Sequence, residues 1–165
     1  MSPDHLRFLL LEQGIGAAVF NFVLNGGIAW LVFRGLERVP LYGQQSIAGD
    51  TVATCFFLPF ITALIVTPLV RRRIGAGTLA ALGWTRESHP VLAWLPAGTA
   101  KRALVLGIGC ALVFGPISVW ALSRFEVIEL SFWSFVAFKA VFSAGLGLLV
   151  TPVISLWALT ATVAR

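Results

Sequence analysis

A chain of 165 residues has room for a single domain, and 58% of it is hydrophobic against 12% charged, with a mean hydropathy of +0.92. A soluble domain carries about 25% charged residues, so the composition excludes one and selects an integral membrane protein. The net charge of +5 would suggest nucleic acid in a soluble protein. Here Lys and Arg crowd the ends of apolar segments, which makes membrane lipids, and no nucleic acid, the expected partner.

The first apolar segment, Gly14–Phe33, contains no charged residue. About 20 apolar residues cross a ~30 Å hydrocarbon core as a helix. A cleaved signal peptide is not expected, because Asp4 and Glu12 spoil a basic leader and no small-residue cleavage site interrupts the run. Asn21 and Asn25 lie one turn apart in a small-and-polar stripe with Gly14, Ala18 and Ala29. Such a stripe suits close interhelical packing with hydrogen bonds, or else a polar binding or permeation surface. Gly26-Gly27 loosens the outer half of this helix.

The second segment, Thr51–Val70, follows Asp50 and ends in Thr67-Pro68 before Arg71, Arg72 and Arg73. A helix with Asn and Gly, a short loop and a helix ending Thr67-Pro68-Leu69-Val70-Arg71-Arg72-Arg73 resembles small bacterial two-helix membrane hairpins of unknown function. The resemblance covers residues 14–73 and is much weaker beyond, where no arginine cluster follows Pro152. It implies two spanning helices and supplies no activity or site residues.

The connection 71–102 holds two apolar stretches too short to span, Thr78–Trp84 and Val91–Leu95. Ser88 is placed to cap a short helix opened by Pro90. The expected arrangement lies along the membrane surface, anchored by Arg71, Arg72, Arg73, Trp84 and Trp94. A re-entrant or partner-docking segment is the alternative.

The third segment, Ala103–Leu122, is uncharged; the fourth, Phe132–Leu159, contains Lys139 alone. Ionisable residues inside a span are functional candidates by default. Lys139 is also near enough to Trp133 to snorkel to the interface. Measured from the prolines at 68 and 152, Asp50 and Lys139 differ by about 7.5 Å in depth, which a lysine side chain nearly covers. We therefore expect an Asp50–Lys139 pair at the outer mouth, with Glu126 and Glu129 as competing partners.

The phrase Val66-Thr67-Pro68 returns as Val150-Thr151-Pro152, and residues 44–70 slide onto 128–154 with six identities. Gly14-Ile15-Gly16 and Gly107-Ile108-Gly109 match after a further shift of nine residues. This pattern suits a parallel repeat about an axis along the membrane normal. Proline removes a backbone donor, so Thr-Pro is expected to mark a kink or helix exit at the inner boundary, or a gating hinge. The repeat sets Cys55 opposite Lys139. Cys55 and Cys110 fall at depths more than about 10 Å apart, too far for a disulfide.

The fold expected is an all-α integral membrane protein: one domain, 1–165, with four transmembrane helices (14–33, 51–70, 103–122, 132–159) as two hairpins. Eight Lys and Arg residues fall on the side of the termini and central connection, against three (Arg34, Arg38, Arg124) on the other. The positive-inside rule then puts both termini in the cytoplasm of a bacterial inner membrane. Trp30, Trp120 and Trp133 mark the outer boundary, with Trp84, Trp94 and Trp157 near the inner one.

No metal-ligand spacing, nucleophile motif or phosphate loop occurs, so neither enzyme activity nor a cofactor is expected. A bound lipid, quinone or pigment stays open, since its pocket would use the same side chains as ordinary packing. Two functions compete. One is an accessory or interaction subunit, packed against other membrane subunits or itself. The other is a small oligomeric channel or carrier for a small solute or ion, using Asn21, Asn25, Asp50 and Lys139.

Overall fold

The computed structural model describes residues 3–82, 96 and 98–160. Four long apolar helices account for most of them: α1 (Pro3–Phe33), α2 (Ile47–Gly75), α3 (Thr99–Arg124) and α4 (Phe132–Thr160). Each is long and apolar enough to cross a membrane. Two short strands, β1 (Arg38–Pro40) and β2 (Glu129–Ser131), lie in the α1–α2 and α3–α4 connections. This end of the bundle is the loop end; Pro3 and Thr160 lie at the terminal end.

The helices overrun the apolar segments because their ends find local partners. Pro3 opens the first turn of α1, where a missing N–H costs nothing. Ser46 caps α2, its hydroxyl accepting from the Gly49 N–H at 3.2 Å. Within α1, residues Phe8–Ile15 form a π-helix, and the Gly16 N–H donates to the Leu11 carbonyl five residues back. Such widened turns are rare and recur at functional sites. Here the widened turn carries Glu12, Gln13 and Gly14.

The helices pair in an order the chain does not suggest. α1 packs on α4, α4 on α2, and α2 on α3, whereas α1 and α2, or α3 and α4, make no extensive contact. The two hairpins therefore interlock rather than sit side by side. Exchanging the halves of the chain maps this pattern onto itself, with α2 and α4 at the centre. The strands obey the same exchange: β1 and β2 pair antiparallel, with Val39 opposite Leu130. Residues 41–46 separate β1 from α2, while β2 runs directly into α4. That extra loop explains much of the register shift between the two halves of the repeat.

Small residues let the helices approach. A Cβ built on Gly107 of α3 would lie 3.0 Å from the Phe56 carbonyl oxygen of α2, and one on Gly26 of α1 3.1 Å from the Ala140 Cβ of α4. Three apolar clusters fill the interfaces. Cys55, Leu58, Ala63, Ala103, Leu146, Val150 and Ile154 form the middle one. Phe33, Val39, Ile47 and Phe135 close the loop end, and Phe8, Val70, Leu82 and Leu159 close the terminal end. Trp30, Trp120 and Trp133 are exposed near the loop end, as belt residues would be.

Several expectations need correction. Pro68 and Pro152 do not end their helices, which run on to Gly75 and Thr160. Both prolines lie inside their helices, where each removes one backbone donor, and the packing of α2 and α4 against their neighbours carries the helix past that single lost hydrogen bond. Arg71, Arg72 and Arg73 thus belong to the last turns of α2, not to a loop. The cysteines are free but share one level rather than being far apart in depth. Gly107 meets Phe56 and Gly115 meets Val52, which brings Cys110 into the cluster around Cys55. Both helices begin earlier than the apolar segments, so each cysteine sits deeper from its own end. The start of the connection turns back onto the bundle, the Leu82 N–H donating to the Leu159 carbonyl at 3.1 Å and the His5 Nε2–H to the Ala80 carbonyl at 2.8 Å. Trp84, Trp94 and the Ser88–Pro90 start lie outside the described residues.

Candidate functional site

Because α1 leans on α4 and α2 leans on α4 from the other side, a cleft remains between α1 and α2, its floor formed by α4 and the inward edges of α1 and α2. It has a volume of about 590 Å³, within the ~300–1,000 Å³ of small-molecule sites. Phe20, Leu24 and Ile28 form one wall; Phe57, Ile61 and Ile65 form the other. All six are exposed, so the cleft opens sideways to whatever surrounds the bundle. All four polar positions singled out in the sequence, Asn21, Asn25, Asp50 and Lys139, line this one cleft.

Lys139 and Asp50 form an ion pair between α4 and α2. The ammonium meets Asp50 Oδ2 and Thr54 Oγ1 closely and the Asp50 carbonyl at 3.5 Å, so its three donors each have an acceptor. The Thr54 hydroxyl in turn donates to the Asp50 carbonyl at 2.7 Å. Only 4% of the Lys139 side chain is exposed, against 17% for Asp50. Lys139 therefore turns inward rather than snorkelling. The competing partner Glu129 is taken by Arg38 of β1 at 2.5 Å.

The asparagines behave differently from a simple packing stripe. Asn21 Nδ2 donates to the Ala17 carbonyl at 2.9 Å, and Asn25 Nδ2 to the Asn21 carbonyl at 3.2 Å and Asn21 Oδ1 at 3.3 Å. These bonds run along α1 instead of across to another helix. The close approach expected of the stripe is nevertheless present: a Cβ on Gly147 of α4 would lie 2.7 Å from Asn21 Nδ2. Each amide keeps further hydrogen-bonding capacity beside the cleft.

Other polar residues of the cleft escaped sequence reasoning. Glu12 and Gln13 precede the first uncharged segment, and only the extended helix brings them in. Arg73 Nη1 pairs with Glu12 Oε2 at 2.6 Å, so Arg73 bridges α2 to α1 at the terminal end. Arg71 Nη1 donates to the Thr99 hydroxyl at 3.4 Å. Gln13 Oε1 accepts from the Ser155 hydroxyl of α4 at 2.9 Å. Thr54, one turn after Asp50, was findable from its spacing. Thr151 belongs to the repeated Thr-Pro phrase; it lines the cleft, is 2% exposed, and its hydroxyl has no hydrogen-bond partner among the described residues.

The two halves differ in chemistry. The repeat matches Lys139 with Cys55, Asp50 with Ser134 and Thr54 with Phe138. On that side Cys55 and Phe142 pack into apolar clusters, and Phe138 stacks on Phe142 at 5.8 Å. One half of a symmetric framework thus carries a charged, open cleft; in the other, Cys55 and Phe138 stand where the cleft has Lys139 and Thr54, and the uncharged, exposed Ser134 stands where it has Asp50. No protein-family model, curated protein or solved structure matches this chain.

Proposed function

We propose that this protein is a non-catalytic membrane protein of the carrier type, which takes a bilayer-borne amphiphile into the cleft between α1 and α2. The observation that carries this reading is the pairing of apolar, sideways-open walls with a polar floor. An amphiphile would lay its chain against Phe20, Leu24, Phe57 and Ile61 and direct its polar group to Asn21, Asn25 and the Asp50–Lys139 pair. A water-filled channel within one chain is less consistent with a cleft whose long side faces hydrocarbon. The interaction-subunit alternative would use outward apolar faces such as Leu104, Ile108 and Leu112, which any lipid-facing helix presents. The distribution of Lys and Arg favours a bacterial inner membrane with both termini cytoplasmic.

Ala53→Trp tests this directly, since Ala53 lines the cleft and is exposed. The bulky ring fills the cleft without entering the packed interfaces. Native mass spectrometry of the detergent-purified protein is expected to show a retained amphiphile on the wild type and its loss from the variant. Equal retention by both, or none by either, would refute the proposal.

A further inference from the structure

We infer that the cleft floor is a track along which a lipid headgroup crosses the bilayer while its chains stay in the surrounding hydrocarbon, so that the protein equilibrates amphiphiles between leaflets. This rests on the amphiphile-binding reading above and adds an activity to it.

The length of the cleft is the first support. From Gln13 to Ile28 it follows α1 for about 22 Å, most of a ~30 Å hydrocarbon core. A site that merely held a lipid in one leaflet would need polar groups only near one end. Here polar groups lie at both ends and between them.

Their spacing is the second support. The Gln13–Ser155 hydrogen bond fixes the terminal end of the floor. Gly147 meets Asn21, so Thr151 lies between Asn21 and the Gln13–Ser155 pair. Asn25 follows one turn beyond Asn21, and Thr54 with the Asp50–Lys139 pair completes the loop end. Polar side chains therefore recur about once per helical turn, roughly every 6 Å. A headgroup leaving one step meets the next before it is stranded, and an unsatisfied polar group in hydrocarbon is what makes unassisted crossing slow.

The state of the steps is the third. Thr151, between Asn21 and the terminal end of the track, is buried and its hydroxyl has no partner among the described residues. Both asparagines retain free capacity for a passing group. The charges at either end are already neutralised, Lys139 by Asp50 and Arg73 by Glu12. A headgroup would meet hydrogen-bonding groups throughout without a lone charge to trap it. The movement is passive and runs down a concentration difference; no bond is made or broken.

The test uses the full chain in vesicles of phosphatidylethanolamine and phosphatidylglycerol in equal parts, carrying a trace of tail-labelled fluorescent phosphatidylglycerol. Dithionite bleaches label in the outer leaflet only. Wild-type protein is expected to expose the protected inner label to bleaching. Asn21→Leu/Asn25→Leu, close to isosteric, should slow this by about tenfold or more, equivalent to ~1.4 kcal/mol in the barrier. Ala53→Trp should abolish it, and Leu112→Phe on the outward face of α3 should leave it unchanged. Wild-type vesicles that protect their inner label as protein-free vesicles do would overturn the inference, as would a double variant within roughly twofold of wild type. If native mass spectrometry still finds a cleft-bound amphiphile in that case, binding stands and crossing falls. If it finds none, both fall.

Discussion

Replacing Lys139 by Met is the most informative single perturbation of the bundle. Met keeps most of the stem volume and removes the ammonium that holds Asp50 and Thr54 together. Asp50 would then keep a carboxylate 83% removed from solvent, by difference from its 17% exposure, with no counter-charge. Breaking a buried pair by removing one partner costs about 3–5 kcal/mol, because the remaining charge is left uncompensated. For a chain of this length each kcal/mol lowers the melting midpoint by roughly 2–4 °C. A drop of about 6–20 °C is therefore expected for Lys139→Met in detergent, followed by circular dichroism. Removing both charges, in Asp50→Asn/Lys139→Met, should restore most of the loss, since a buried pair replaced as a unit is often neutral or stabilising. The double-mutant cycle should thus show strong coupling between the sites. A single variant that melts within about 1 °C of wild type, well below that shift, would refute the reasoning, as would a double variant no more stable than the sum of the singles.

Two further outcomes follow from the packing. Gly107→Val should destabilise by about 1–3 kcal/mol, because its Cβ would lie 3.0 Å from the Phe56 carbonyl oxygen and 3.1 Å from its ring. Gly27→Ala, with open space around the new methyl, should be neutral or gain up to about 1 kcal/mol; thermal melts of the pair check the contrast. Arg38→Ala should cost no more than about 1 kcal/mol, since Arg38 and Glu129 keep 69% and 43% of their side chains exposed, and high salt should reduce even that difference.

What was legible in the sequence was whatever depends on local pattern. Uninterrupted apolar runs announced four helices, and Lys139, alone among its apolar neighbours, announced a buried partner. Depth counting from the two prolines reached Asp50, because helix rise is regular enough to compare positions on different helices. Residues at the edges were not legible. Glu12 and Gln13 read as a polar boundary, yet a first turn opened by Pro3 and a π-helical stretch carry α1 through them into the cleft. The prolines read as stops for the same reason in reverse. Helix pairing was hidden most completely. Neighbouring helices in a chain usually pair, and nothing in the hydropathy of α1 distinguishes α2 from α4 as its partner. That choice is made by Gly26 against Ala140 and Gly147 against Asn21, contacts between residues far apart in sequence. The cleft is a consequence of this pairing, so the site could be named residue by residue but not drawn.

Oxidative cross-linking of paired cysteines in a Cys55→Ala/Cys110→Ala background tests the open cleft most directly. Gly26→Cys/Ala140→Cys spans α1 and α4, where the built Cβ separation of 3.1 Å is close to the roughly 3.5–4.5 Å of a disulfide. Phe20→Cys/Phe57→Cys spans the two walls of the cleft. In membranes, the account predicts rapid disulfide formation at 26/140 and none at 20/57. Rapid closure at 20/57, or failure at 26/140, would mean that α1 packs on α2 and that the cleft does not exist.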